Sequence, residues 1–492
     1  MMNRWVIPGS ILASVLLLGY ILHRRKRKKA DQQRWTTFWA TVTTGFESIA
    51  RSEIIWKLQR WEEGSAMEVR FGHEDAPGKV IFFIEESRPS GETLNRLKRL
   101  YSVQQMMVAI FIESNYPPSK EALSRMADLP RHAGGTEAWS RALDVWRRWR
   151  RECGDDAPAV RGQAVPVFRV TAAHSGKHEF HSTDIGQAMA AGIAGHLGWP
   201  ADLKNYDFEI YAHLRYDTLT VGIPLTRKSI NDSSVRATEQ QAAQDDQPDQ
   251  LVSAAIDDGA QDAPAGGQPS RGWKRRKIID DSTNSLSLLD PAKRERSCTN
   301  LRPAVAYCLT LTAGLHEAPA GTLAADPMCG SNTIIEVATA EEPILRRCFF
   351  IAGDSQSVPI DKTYANLQRL PARRARIDVV RWTAERLPLR SDVLDVIVTD
   401  MPFGKRLSCA DQLRTVYPRC LKEFHRSLSV EGRAVLLTGA AYRLIRREID
   451  RQGQLGAEAT HPWVCVRDSA ISMGGLHPVV FALNKKAREV RR

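Results

Sequence analysis

Apolar positions recur along this chain with two periods, and the switches between them mark its elements. The first stretch predicts a strand at Phe38–Thr43, a helix at Glu47–Trp61, a strand at Lys79–Ile84, a helix at Thr93–Leu100 and a strand at Met106–Ile112. Short elements alternating in that order predict a small α+β, ferredoxin-like unit over residues 38–115. The Arg- and Trp-rich stretch Trp139–Trp149, with the polar residues that follow it before Pro158, reads as a surface insertion. A second α/β unit, residues 160–229, opens on the apolar run Val165–Thr171. Its helix has Ser182 as the expected cap and carries Ile185, Met189, Ile193 and Leu197 on one face at a spacing of four. Strands follow around Phe208–Leu214 and Thr218–Pro224.

Residues 232–296 are rich in Gln, Ala, Asp, Gly and Pro over most of their length and too poor in apolar side chains to build a core, which predicts a disordered linker. Beyond it, residues 298–484 alternate between strand and helix. After a helix at Arg302–Ala313 come a strand ending at Ala325, a helix from Thr333, a strand at Cys348–Ala352, a helix at Pro359–Leu370 and strands at Ile377–Val380 and Val393–Thr399. A helix at Pro418–Leu428 and a strand at Arg433–Leu437 complete the series. That alternation predicts a doubly wound, mainly parallel sheet. Pro462–Val466 and His477–Leu483, with no long helix between them, predict an antiparallel hairpin that closes its edge.

Two loops of this third unit carry candidate chemistry. Asp326-Pro327-Met328-Cys329-Gly330 and Asp400-Met401-Pro402-Phe403-Gly404 each follow an apolar strand. In an open α/β sheet, ligands settle at the carboxyl ends of strands, so both loops are expected to face one crevice. An Asp-x-Pro-aromatic loop suits a flat, amine-bearing substrate: the Asp400 carboxylate and the Met401 carbonyl accept hydrogen bonds from an exocyclic NH2, and Phe403 stacks on the ring. That arrangement points to methyl transfer onto a nucleobase amine. Asp326 and Gly330 suit the amino acid end of a sulfonium cofactor, and Gly353-Asp354, one βα unit further on, suits two ribose hydroxyls.

Net charge adds a partner class. With 69 Lys and Arg against 57 Asp and Glu, the chain carries a formal charge of +12, which favours an anionic partner such as RNA or a membrane surface. Lys405 and Arg406, beside the second loop, are candidates for phosphate contact. Eight scattered cysteines without a Cys-x-x-Cys pair predict buried, reduced thiols and no zinc site. His174, His178 and His181 lie close in sequence but have no cysteine beside them, and they read as solvated or phosphate-contacting groups; no metal is expected. Residues 1–30 form a separate case. Trp5–Leu22 is an apolar stretch just long enough for a candidate membrane span, followed by six consecutive basic residues, Arg24–Lys29. That polarity opposes a cleavable signal peptide and predicts a transmembrane anchor with the catalytic body in the cytoplasm. A mitochondrial presequence and an extension absent from the mature protein are the other readings.

The ordered motifs resemble those of the THUMP-domain tRNA (guanine-N2) methyltransferases. Thr41-Val42-Thr43-Thr44-Gly45-Phe46-Glu47 is similar to that family's opening motif, Phe168-Arg169-Val170-Thr171 to its THUMP entry strand, and Val221-Gly222-Ile223-Pro224-Leu225-Thr226 to its last THUMP strand. The resemblance implies a Rossmann-like, class I methyltransferase domain preceded by the ferredoxin-like and THUMP units, with S-adenosyl-L-methionine as cofactor. It implies cofactor contacts at Asp326, Cys329, Gly330, Asp354 and Thr383, and catalytic roles for Asp400, Met401, Pro402 and Phe403. Arg169, Lys177, Lys405 and Arg406 are then RNA-binding residues, the target is an acceptor-region guanosine of tRNA, and a small zinc-binding activator subunit docks on the catalytic domain. Two positions depart from the family pattern: Asn332 replaces a glycine of the cofactor loop, and Thr383 stands where an acidic residue meets the adenine amine, with Glu385 nearby. A catalytically silent tRNA-binding protein of the same fold, or an amino methyltransferase for another RNA, are the alternative readings.

Overall fold

A computed structural model describes residues 34–59, 67–72, 77–132, 135–155, 157–162, 164–226, 301–368, 376–403, 410–439, 441–455, 459–473 and 475–486. The expected linker over 232–296 and the segment 1–30 lie outside these residues. The first seven strands are β1 (Thr36–Val42), β2 (Val69–Phe71), β3 (Lys79–Ile84), β4 (Val103–Glu113), β5 (Phe168–Ser175), β6 (Phe208–Arg215) and β7 (Thr218–Pro224). They form one continuous sheet in the order β2-β3-β1-β4-β7-β6-β5. The ferredoxin-like and THUMP units are therefore fused rather than strung together: β4 pairs antiparallel with β7 from Met107↔Pro224 to Glu113↔Leu219. Eleven residues of β4, most of them apolar, supply ladder edges for both units.

Residues 139–149 belong to this core and are no surface insertion. The helix Gly135–Glu152 buries Trp139, Leu143, Trp146 and Trp149, three or four residues apart, together with Arg150, which pairs with Asp155 at 2.6 Å. Trp146 lies 5.3 Å from Phe208 and Trp139 lies 6.1 Å from Phe111, so this helix covers strands of both units. On the helix Ser182–Leu197, Ile185, Met189 and Ile193 are fully buried as their spacing predicts. Its cap is His181, not Ser182: the Asp184 carboxylate accepts the His181 N–H at 2.8 Å, while the Ser182 hydroxyl is engaged by His174.

The second sheet contains β8 (Thr322–Asp326), β9 (Cys348–Asp354), β10 (Ile377–Arg381), β11 (Leu394–Asp400), β12 (Leu428–Thr438), β13 (Trp463–Ala470) and β14 (Val479–Lys485). Its order is β10-β9-β8-β11-β12-β14-β13. The five strands on the β10 side are parallel; β14 runs antiparallel to both β12 and β13, the closing hairpin that the sequence predicts. Pro418 lies inside the helix Ala410–Ser427 rather than at its start, and the amphipathic helix Tyr442–Gln454 was not anticipated.

The membrane assignment for Trp5–Leu22 is withdrawn. No helix among the described residues is long and apolar enough to cross a membrane. The stretch itself, which lies outside the described residues, is interrupted by Pro8, Gly9, Ser10, Ser14 and Gly19.

Candidate functional site

β8 and β11 are parallel neighbours, with Val396 opposite Ala324 and Ile397 opposite Ala325. Their exit loops consequently emerge side by side. The strand-end carboxylate Asp326 is 1 % exposed; its Oδ1 accepts the Thr399 hydroxyl at 2.7 Å and the Met328 N–H at 3.2 Å. The rest of the loop is tied to β9. The Cys329 N–H donates to the Gly353 carbonyl at 2.8 Å, and the Gly330 N–H to Asp354 Oδ2 at 3.2 Å. Asp354 Oδ1 takes the Gln356 N–H at 3.0 Å, so both of its oxygens orient backbone at the edge of the crevice. Asn332 sits in the left-handed region (φ 66°, ψ 27°), the conformation that the glycine it replaces would adopt, and its buried Oδ1 has no hydrogen-bond partner. Trp382, just beyond β10, ties the same loop from its other side by donating its indole N–H to the Pro327 carbonyl at 3.1 Å.

Asp400 ends β11. The residue is partly exposed, yet its Oδ1 is fully buried and has no partner. Burial foremost, then the nearby Asp326, pushes its carboxyl up to about 7. Asp326 is likewise pushed to about 7 by burial, against the pull of its bonds from Thr399 and Met328. Two such acids at close quarters do not ionise together readily. Beyond Asp400 the loop is braced from below: the Met401 N–H donates to Leu437 O at 2.8 Å, and the Tyr417 hydroxyl donates to Pro402 O at 2.8 Å while sharing a 2.7 Å bond with Thr438. Met401 is buried, Pro402 exposed and Phe403 half-buried.

The Phe403 ring lies flush against Gly439, just past β12. A Cβ on Gly439 would stand 2.7 Å from the Phe403 Cγ. Gly439→Ala should therefore displace the ring and, if the crevice transfers a methyl group to a stacked base as the family resemblance implies, lower that rate roughly tenfold, in line with the ~1–3 kcal/mol that base stacking contributes elsewhere. A methylation assay beside a thermal melt checks this, because a change in stability alone would leave the folded enzyme's rate unaltered.

The structure thus gathers Asp326, Cys329, Gly330, Asp354, Asp400, Met401, Pro402 and Phe403 around one sheet edge. Thr383, directly after Trp382, is exposed, with its hydroxyl turned to the Glu385 N–H at 3.4 Å; Glu385 itself pairs with Arg419 at 3.2 Å. Lys405 and Arg406 fall outside the described residues. Arg169 lies on β5 of the other sheet, paired with Glu209 at 3.0 Å and stacked over the Tyr206 ring at 4.2 Å, while Lys177 is exposed in the loop after β5. Among the described residues, no group of three or more His, Cys, Asp or Glu is arranged to hold a metal ion. Sequence reasoning overlooked Thr399, Trp382, Tyr417 and Gly439. Only Thr399, a hydroxyl directly before the candidate Asp400, left a local signal.

A seven-stranded sheet with one reversed strand, two polar loops at the carboxyl ends of adjacent parallel strands, and a fused α+β module in front define a Rossmann-like methyltransferase fold with a THUMP domain. Residues 291–454 match the family described as the RMKL-like methyltransferase domain, and residues 155–223 match the THUMP domain. The chain is 27% identical to the mouse tRNA (guanine(6)-N(2))-methyltransferase THUMP3 over 70% of its own length and 56% of the relative's, and 24% identical to the human protein of that name over 92% and 89%. It is also 25% identical to the human U6 snRNA (guanine-N(2))-methyltransferase THUMPD2, over 55% of this chain and 40% of that one. The chain thus spans little more than half the length of the mouse and bovine THUMP3 relatives. In fold it is similar to the crystal structure of TrmN from Thermus thermophilus, with a TM-score of 0.55, 19% identity, and coverage of 92% of this chain and 99% of that one.

Proposed function

We propose that this protein transfers a methyl group from S-adenosyl-L-methionine to the exocyclic N2 amine of a guanosine in tRNA. The observation that carries the reading is the buried Oδ1 of Asp400, which has no partner among the described residues, three positions before the half-buried Phe403 ring: an acceptor and an aromatic face on one loop. A buried polar atom left alone costs about 1–3 kcal/mol, which an NH2 donor from a base would recover. The relatives named above, active on tRNA and U6 snRNA guanines, support the same chemistry.

The residues also fit the cofactor. Asn332 leaves a second buried oxygen without a partner among the described residues at the first loop; Asp326 stands where the amino acid end of the cofactor would lie, and Asp354 where its ribose hydroxyls would. When bound, the cofactor supplies an electrophilic methyl group. Guanine N2 is a weak nucleophile because its lone pair is delocalised into the ring. Asp400 and the Met401 carbonyl would take its two hydrogens, favour a pyramidal nitrogen and turn the lone pair towards the methyl donor, while Phe403 holds the base plane. Positioning and this polarisation are the catalytic contribution of the chain. Asp326, Cys329, Gly330 and Asp354 would hold the cofactor; Thr383 would lie at its adenine end.

The fused N-terminal sheet would grip RNA by shape and backbone charge, with Arg169 and Lys177 on that face and Lys405 and Arg406 near the crevice. Resemblance to the family adds a small zinc-binding activator subunit on the catalytic domain, which pull-down from cells followed by metal analysis would reveal. The decisive experiment is methylation of defined RNA pools by the purified protein with labelled cofactor. N2-methylguanosine in tRNA is the expected product; methylated U6 snRNA alone would move the assignment to the other relatives' substrate.

Ionised Asp400 is the working form, since a protonated carboxyl is a weaker acceptor and carries no charge to polarise the amine. With its pKa raised to about 7, the rate should climb with pH through that region and level off above it. The cationic cofactor shifts the inflection downward, so the single-turnover profile of the loaded enzyme should turn below that of kcat/KM. For stability the sign is opposite: the folded state holds protons that the unfolded chain has released above pH ~4, so stability declines as pH rises from there towards about 7. A flat rate profile between pH 5 and 9, on the order of this whole window, would remove Asp400 from the chemistry.

A further inference from the structure

A buried ion network joins the two halves of the chain. Lys57, on the helix Glu47–Gln59, is 1 % exposed and donates to Glu53 Oε1 at 2.8 Å, to the Arg99 carbonyl and to the Glu341 carboxylate, 284 residues away. Its ammonium lies 4.1 Å from the Tyr101 ring centroid and 5.0 Å from that of Tyr307, and the two rings meet edge to face at 5.1 Å. Tyr307 donates its hydroxyl to the same Glu341 oxygen at 3.0 Å, and Glu53 accepts the N–H groups of Tyr101 and Ser102. Burial opposes the Lys57 charge, but the Glu53 and Glu341 carboxylates outweigh it and hold the ammonium above its usual range.

A second contact lies alongside. Gly45, at φ 94°, passes so close to β13 that any Cβ would collide with the Ala470 carbonyl. Ser472 N–H donates to Thr44 O at 3.1 Å and Arg467 to the Ser48 hydroxyl at 2.9 Å, while Phe46, Ile49 and Tyr101 are buried in the core of the catalytic domain. Glu341 is placed just past the short helix Thr333–Ala338, whose other end is the cofactor loop at Asn332. The joint is thus connected through one rigid turn-and-a-half of helix to the methyl-donor side of the crevice.

We infer that Lys57 is a positioning residue: held between Glu53 and Glu341, it fixes the orientation of the RNA-gripping half relative to the crevice, so that a base delivered from the grip arrives at Asp400. This rests on the proposed function for its consequence in rate, though not for its geometry. A buried pair is a poor source of net stability, whereas it specifies one arrangement, because any other leaves a charge unpaired in a dry interface.

The test uses the full chain with spectroscopic labels at Leu203 and Val430, exposed on the two halves, and measures the distance distribution together with cofactor affinity, tRNA affinity and the single-turnover rate. Lys57→Met and Glu341→Ala should broaden the distribution and lower the rate on the order of 100-fold, as expected for a misplaced reactant, while both affinities stay close to wild type. Glu341→Gln, which keeps an acceptor for Lys57 and Tyr307, should restore most of both readouts. Should Lys57→Met fail to fold, the Glu341 pair decides. An unbroadened distribution in Glu341→Ala, or a rate that falls only as cofactor or RNA affinity falls, overturns the inference. A wild-type chain that neither binds nor methylates tRNA would defeat the proposed function instead, with the distance measurement still deciding the joint.

Discussion

Asp400→Asn is expected to lower methyl transfer by roughly 100- to 1,000-fold while leaving S-adenosyl-L-methionine binding nearly intact, the scale seen when one preorganised polar group is removed from a reacting centre. The expectation follows from where the side chain stands. Its Oδ1 is buried and unpartnered, so in the protein alone it stabilises nothing that the substitution would break. Its neighbours on the first loop, which would hold the cofactor, are bound to Thr399, Met328, Gly353 and Gln356 and do not depend on it. Asparagine retains the shape and one acceptor oxygen but removes the charge that polarises the amine. It also relieves the repulsion between two buried acids, so the variant should melt at the wild-type temperature or above. Calorimetric titration with the cofactor, run beside single-turnover kinetics, separates the effects. Equal loss of affinity and rate would place Asp400 in the cofactor pocket and discard its assigned role.

The second large effect concerns the catalytic half in isolation. A fragment from Cys298 to Asn484 should fail to give a cooperative melt or to bind the cofactor, although the sequence marks that region as a domain with the cofactor loops inside it. Phe46, Ile49 and Tyr101 belong to its hydrophobic core yet come from the first seventy residues of the N-terminal sheet module. Removing them exposes their partners in the core, at about 1.5–3 kcal/mol for each large side chain. It also leaves Glu341 and the Tyr307 hydroxyl without Lys57 in what had been dry interior. Against a total stability of about 5–15 kcal/mol, that loss is decisive. Adding the N-terminal half in trans should restore cofactor binding. A fragment that melts cooperatively and binds S-adenosyl-L-methionine as the full chain does would show the joint to be dispensable for folding of the catalytic half.

What the sequence determined by itself is what neighbours along the chain decide. Strand and helix periods found most elements of both sheets, though not β2 or the helix Tyr442–Gln454, and they set the starts of the helix Ala410–Ser427 and of β12 several residues late; the two polar loops could be found because each directly follows a buried strand. The left-handed Asn332 was equally local, since the loop's turn demands that conformation of whichever residue stands there. Residues that act across the fold were invisible. The wrong cap at Ser182 and the supposed insertion at Trp139–Trp149 share one cause: polarity and composition were read without knowing which surface the helix would cover. Tyr417 braces Pro402, Trp382 ties Pro327 from 55 residues away, and Gly439 makes room for Phe403, none with any pattern in its own segment. Only the tertiary structure brought Lys57 to Glu341 and merged two expected units into one sheet. Local backbone preference acts over about four residues, while burial selects partners at any separation, so the chain announces its elements and the packed interior chooses which of their side chains meet.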